Sequence, residues 1–246
     1  MLAALVLIVL SPSQTDERFE EFFAEFVEKR QAIRLLEAEF RQTTKNPEET
    51  NVSRGTLYYA KPRRLMLRYI DPDEMVYIVD GEMIYTYVAE IEQLERHDLQ
   101  DDPATEALFL GFDDDAKRLR EAYAVVFLDA KGEGDDVAVL ELTPKAGDEE
   151  SFFQSVRIYM RGERLLPYRI RLKTDAESEV VIEVADYRVN APIDQSKTQF
   201  LVPEGTLIVD NGAPIETVGR GGKWIPETAP LAQTPTVQGP GQENPK

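Results

Sequence analysis

Cysteine is absent from this chain. Its absence excludes disulfides, thiolate metal sites, cysteine nucleophiles and lipidation at a mature N-terminal cysteine. Histidine occurs once, at His97, so a multi-histidine metal centre cannot form and a serine triad would have only this imidazole to use. His97 falls at the end of the strand pattern Leu94 to Asp98 and reads as a surface residue. Positive charge is scarce: 28 Lys and Arg face 46 Asp and Glu. The formal charge of -18 disfavours nonspecific binding to nucleic acid or to anionic lipid surfaces.

Other signatures also fail. The acidic runs Asp113 to Asp115 and Glu133 to Asp136 invite a calcium reading. Taking Asp129 as the first ligand of an EF-hand loop puts Lys131 at the third position and Leu140 at the twelfth, where oxygen ligands are required. A helix cap and a charged turn account for the two runs. Gly219 to Gly222 lacks the preceding strand and following helix of a phosphate loop. With no nucleophile-base pair, metal set or cofactor motif in view, the inventory points away from an enzyme. Met1 to Leu10 is apolar throughout but reaches only about half of the ~20 residues that a membrane-spanning helix needs. It fits the h-region of a secretory signal over residues 1–13, cleaved near Ser11-Pro12-Ser13, and predicts export.

What is present is a helix followed by many two-faced strands. Phe19, Phe22, Phe23, Phe26 and Val27 recur at the i, i+3, i+4, i+7, i+8 spacing of an amphipathic helix over residues 16–30, with Glu20, Glu21, Glu25 and Glu28 mostly on the other side. This four-phenylalanine stripe suits plain core packing or a lid over an apolar cavity. From Leu36 the period changes to two, and Asn46 to Ser53 reads as a loop. Strands are predicted around 55–60, 64–70, 75–79, 83–88 and 93–98, with Asp80-Gly81 as a hairpin turn. Asp102-Pro103 and Asp113 to Asp115 open two short helices, to Leu110 and about Tyr123. Strands resume at 125–129, 137–143, 153–161, 168–174, 179–189 and 207–210. From Asn211 to Lys246, proline and glycine make up a third of the residues, and this segment, with Trp224, reads as a disordered tail.

Short connections between half-buried strands argue for an α+β fold of mainly antiparallel strands, a strongly curved sheet whose concave side is covered by helices. Alternation puts Leu57, Tyr59, Leu65, Leu67 and Tyr69 on one face, and Thr56, Ala60, Arg64 and Arg68 on the other. Lys61 shares the greasy parity, an unusual place for an ammonium group. Residues 75–79 are apolar on both faces and keep no assigned parity. If the helices cover the concave face only partly, the remaining space is an apolar pocket for apolar ligands. Buried alternation looks the same whether that space is open or filled, so both readings stand.

Gly55-x-Leu-x-x-x-Lys61-Pro62, Pro72-Asp73-Glu74, Asp80-Gly81, Tyr85-x-Tyr87, Glu92-Gln93, Leu142-Thr-Pro-Lys145, Phe200-x-x-Pro203-x-Gly205 and the early Phe40-x-Gln42 together resemble the periplasmic outer-membrane lipoprotein carrier family, LolA. The resemblance covers about residues 16–210 and makes 14–210 one carrier domain. It implies an unclosed, half-barrel antiparallel sheet with a helical lid and a cavity for the acyl chains of lipoproteins. It also implies receipt from an inner-membrane ABC-type releasing complex, delivery to an outer-membrane receptor, and a monomer working in the periplasm. Carried over by position, Lys61 stands where the family has a lid-fastening arginine. Leu57, Tyr59, Leu65, Leu67 and Tyr69 line the cavity, and Tyr85 and Tyr87 join them. A lysine keeps the charge but loses the planar fork of a guanidinium. The same half-barrel in periplasmic sensors of misplaced lipoproteins makes a regulator the alternative.

Overall fold

The structure, a computed structural model, describes residues 14–81, 83–98, 109, 123–128, 137–145, 153–194, 197 and 199–225. The two helices expected between residues 102 and 123 lie outside the described residues except for Phe109, which is helical and fully buried, and Tyr123, which already belongs to a strand. The expected signal segment lies outside them too.

Helix α1 spans Gln14–Gln31. Five antiparallel strands follow in a meander: β1 (Leu35–Lys45), β2 (Thr50–Ala60), β3 (Arg64–Asp71), β4 (Met75–Asp80) and β5 (Met83–Val88), and β6 (Gln93–Asp98) completes it. A second meander comprises β7 (Tyr123–Leu128), β8 (Val137–Pro144), β9 (Ser155–Arg161), β10 (Leu166–Lys173) and β11 (Glu179–Val189). The chain continues into β12 (Phe200–Val202), β13 (Leu207–Asp210), β14 (Ala213–Thr217) and β15 (Lys223–Ile225). β1 pairs with β11 as well as β2, which joins the meanders into one sheet of order β14-β13-β6-β5-β4-β3-β2-β1-β11-β10-β9-β8-β7. Its ends, β14 and β7, do not pair with each other, so the sheet is open.

Two expectations need correction. The loop placed at 46–53 shrinks to 46–49, because Asn46 Oδ1 accepts the N–H groups of Glu48 and Glu49 and turns the chain within four residues. The segment from Asn211, expected to be disordered, carries β14 and β15. Its glycine and asparagine are turn chemistry: Asn211 and Gly212 both have positive φ and form a two-residue hairpin between β13 and β14. The sheet is mainly antiparallel, as expected, and its parallel pair among the described residues is β13 with β6, after the long crossing from β11.

Each face of the sheet has its own hydrophobic cluster. The inner face packs against α1 and Phe109. The outer face of β2 to β6 packs under the C-terminal segment, where Phe200, Val202, Ile208, Val218 and Ile225 are buried against Tyr58, Met66 and Ile78. Strand β4 is apolar on both sides for this reason: Val79 faces inward, and Val76 and Ile78 face outward.

Candidate functional site

The inner face is built in rows. Tyr59, Leu65, Val79 and Ile84 stand directly opposite one another across β2 to β5, and Leu57, Leu67 and Tyr77 form the next row. Leu57, Tyr59, Leu65, Leu67 and Tyr69 are all buried in the cluster that contains the α1 phenylalanines, so the structure brings these five predicted residues together. Tyr69 meets Phe40 edge to face, with centroids 4.9 Å apart, and its hydroxyl donates to Gln42 Oε1 at 3.0 Å. Burial pushes the Tyr69 phenol up to about 12.

Gly55 lies between those two rings, paired with Phe40 on one side and Tyr69 on the other. A Cβ there would stand 2.0 Å from the carbonyl oxygen of Arg68 and 2.8 Å from the Phe40 ring. The glycine is what lets the rings meet.

Tyr85 and Tyr87 do not join this wall. Strand alternation puts them opposite Ile78 and Val76, on the outer face, where Tyr87 packs against Phe200 with centroids 4.9 Å apart. Their paired-tyrosine pattern fits either face. Only the C-terminal cover makes an outward aromatic a buried one.

Helix α1 turns its phenylalanine stripe into the same inner-face cluster, with β7 as its strand neighbour. Phe19, Phe22, Phe23 and Phe26 are buried, Phe19 and Phe23 lie 5.6 Å apart, and Phe22 reaches Phe127 of β7 at 5.1 Å. The spacing places Arg30 on the same stripe, four residues after Phe26, and the structure buries it completely. Its guanidinium stacks on the Phe26 ring at 4.6 Å, donates through Nη1 to the carbonyl of Arg164 at 3.1 Å and through Nη2 to that of Leu165 at 2.6 Å. Nε has no hydrogen-bond partner among the described residues. Desolvation lowers this arginine to about 10, against the pull of the nearby Tyr187 and Tyr59 phenols. Arg30 was missed in the sequence, although a cation on an apolar helix face is the signal that could have found it.

The exit from α1 is fixed by backbone contacts. Asn190, at the end of β11, accepts the N–H groups of Arg34 and Leu35 on Oδ1 and donates through Nδ2 to the carbonyl of Ala32. Lys61, half-buried in the turn between β2 and β3, donates its backbone N–H to the carbonyl of Arg34 at 3.0 Å. Two residues later Arg63, at φ 46°, lays its guanidinium over the Phe109 ring at 4.7 Å. The geometry therefore puts Lys61 at the junction of α1 and the sheet, while guanidinium contacts run from Arg30 of α1 to the β9–β10 turn and from Arg63 to Phe109.

The described residues hold an aromatic and aliphatic wall and an aromatic helix in one cluster, an arrangement that suits apolar matter. Comparison with known proteins agrees with that character. The family described as outer membrane lipoprotein carrier protein LolA matches residues 31–201, more than half of the chain. The outer-membrane lipoprotein carrier protein of Chromohalobacter salexigens is 28% identical over 158 residues, covering 64% of this chain and 71% of that protein. That of Ralstonia nicotianae is 28% identical over 162 residues, covering 64% and 69%. Among solved structures, an uncharacterized conserved protein from Thermus thermophilus has the same fold, with a TM-score of 0.50 at 10% identity over 78% of this chain and 99% of that one. The chain belongs to the outer membrane lipoprotein carrier family, LolA.

Proposed function

We propose that this protein is a periplasmic carrier that shelters the acyl chains of lipoproteins between the α1 phenylalanine stripe and the inner face of the sheet. In this reading it takes lipoproteins from an inner-membrane ABC-type releasing complex and passes them to an outer-membrane receptor, working as a monomer. Burying a methylene is worth roughly 0.8 kcal/mol, so one long acyl chain carries on the order of 10 kcal/mol of aversion to water and needs such a shelter.

The observation that carries the reading is the contrast in how α1 is held. At its C-terminal end it is fastened by the Arg30 fork and the Asn190 clamp, and along its length it meets the inner-face cluster through phenylalanine rings, Phe22 against Phe127 of β7 among them. Ring contacts have no fixed partner, so acyl chains can replace them while the polar end acts as a hinge. Helix α1 is then the lid, Arg30 its fastening and Lys61 the residue at its hinge. Leu57, Tyr59, Leu65, Leu67 and Tyr69 form the lipid-facing wall.

A release assay tests this. Inner membranes carrying radiolabelled lipoprotein are incubated with the protein and ATP, and the soluble fraction is examined for a one-to-one complex. Lipoprotein that stays membrane-bound sinks the carrier reading. Capture followed by no transfer to outer membranes would mark a sensor instead.

A further inference from the structure

Among the described residues, the C-terminal segment covers the outer face of the sheet over β2 to β6. The other half, β8 to β11 with β1, presents polar rows. In one row Glu141, Arg157 and Arg171 stand opposite one another, and in the next Ser155, Lys173, Glu179 and Lys45 do. Lys45, Ser155, Arg157, Arg171, Lys173 and Glu179, together with residues 176–178 of the turn, line a cleft of about 360 Å³, and Glu141 is not among its walls. Its walls carry four cations, Lys45, Arg157, Arg171 and Lys173, against two carboxylates, Glu177 and Glu179. The chain as a whole has the opposite balance, 28 to 46.

We propose that this cleft is a binding site for a phosphate-bearing anion. Arg157 and Arg171 are directly opposed across β9 and β10. Like charges in that position destabilise a strand pair, and a sheet tolerates them where something offsets the repulsion. Glu141 and Glu179 do part of this: Arg157 Nε donates to Glu141, and Arg171 donates to Glu179 Oε2 at 2.6 Å. A guanidinium has five N–H donors in a planar fork, so one carboxylate on each leaves further donors for a second oxyanion. Lys45 and Lys173 add two exposed ammonium groups on either side of Glu179, and Ser155 opposite Lys173 adds a hydroxyl. Tetrahedral phosphate oxygens suit this set of ammonium, guanidinium and hydroxyl donors converging from three strands, β1, β9 and β10. The distant negative charge of the chain does not prevent binding, because the Debye length is about 8 Å at physiological ionic strength and the local lining dominates. A phospholipid headgroup and a soluble phosphate both supply this chemistry. The site does not involve the inner wall and stands apart from the carrier reading.

The test uses the full chain and two probes, pyrophosphate in calorimetric titration and phosphatidylglycerol vesicles in co-sedimentation, with phosphatidylcholine vesicles as the blank. The Lys45→Glu/Lys173→Glu double variant changes two exposed side chains, and circular dichroism checks that it folds. Wild-type binding that the double variant weakens about tenfold or more, and that rising salt abolishes, is the expected result. Binding of vesicles alone identifies a headgroup as the source, and binding of pyrophosphate alone identifies a soluble anion. Indifference to both probes, equal binding by the double variant, or binding of polyglutamate in place of either probe would overturn the assignment.

Discussion

Arg30 Nη2 and the carbonyl oxygen of Leu165 lie 2.6 Å apart, joining the last turn of α1 to the turn between β9 and β10. The neighbouring carbonyl of Arg164 takes the second prong of the same guanidinium. Arg30→Ala leaves two carbonyls without their donor and a void beside Phe26. It should cost about 2–4 kcal/mol of stability, read as a lowered urea midpoint. Arg30→Lys keeps a cation but cannot span both carbonyls with a planar fork, and its midpoint should fall between those of the alanine variant and the wild type.

At Gly55 the expected effect is steric. Gly55→Ala drives a methyl group into the Arg68 carbonyl and the Phe40 ring. The cost should be at least the roughly 1–3 kcal/mol of an overpacked core. Urea unfolding gives the size of the loss, and near-ultraviolet circular dichroism should show the disturbed Phe40 and Tyr69 pair. The β2–β3 register shifts between Arg54 and Gly55, and an unchanged midpoint would mean that β2 can move away from β3 there.

Removing residues 211–246 should not behave as the trimming of a loose end. Val218 and Ile225 are about 5% and 3% exposed and close the outer cluster over Phe200 and Ile208. Losing two such side chains should cost about 3–6 kcal/mol and raise the binding of a hydrophobic dye. A truncated chain as stable as the full one would show that β14 and β15 contribute little to the fold.

Strong alkali provides a fourth check. Tyr69 is held up at about 12 in the folded protein, and burial raises Tyr187 in the same direction. Unfolded phenols titrate near 10, so the folded state binds more protons above that value. This contribution is complete below pH 10 and is lost as pH climbs through 12. Arg30 acts in the opposite sense: its folded value is lowered, so its burial penalty is relieved above about 10. Burial also raises the Tyr87 phenol and lowers the Arg68 guanidinium. With three phenols against two guanidinium groups, stability should fall between pH 10 and 12, with tyrosinate absorbance rising in step with unfolding. Tyr69→Phe should flatten that fall, and an unchanged slope would contradict it.

Much of the inner wall was legible from strand alternation, because which side a residue faces depends only on its neighbours along the strand. Leu57, Leu65 and Tyr69 follow that rule. Tyr85 and Tyr87 obey the same parity and still reverse the expectation, because their outward side is buried by a segment far along the chain, Phe200 onward. Val76 and Ile78 were ambiguous for the same reason: a strand covered on both faces has no polar side to mark its parity.

By itself the sequence determined the local periods: the phenylalanine stripe of α1, the two-faced strands, and the want of cysteine and of a second histidine. These depend on residue types a few positions apart, where covalent geometry sets the facing. The tertiary structure alone decided what those faces meet. It put Arg30 against the β9–β10 turn, folded β14 and β15 over the outer face, and gathered Lys45 with Lys173 by laying β1 beside β11. Such contacts depend on strand order, and strand order is set by the total surface buried when the whole chain closes, which no short stretch of residues records.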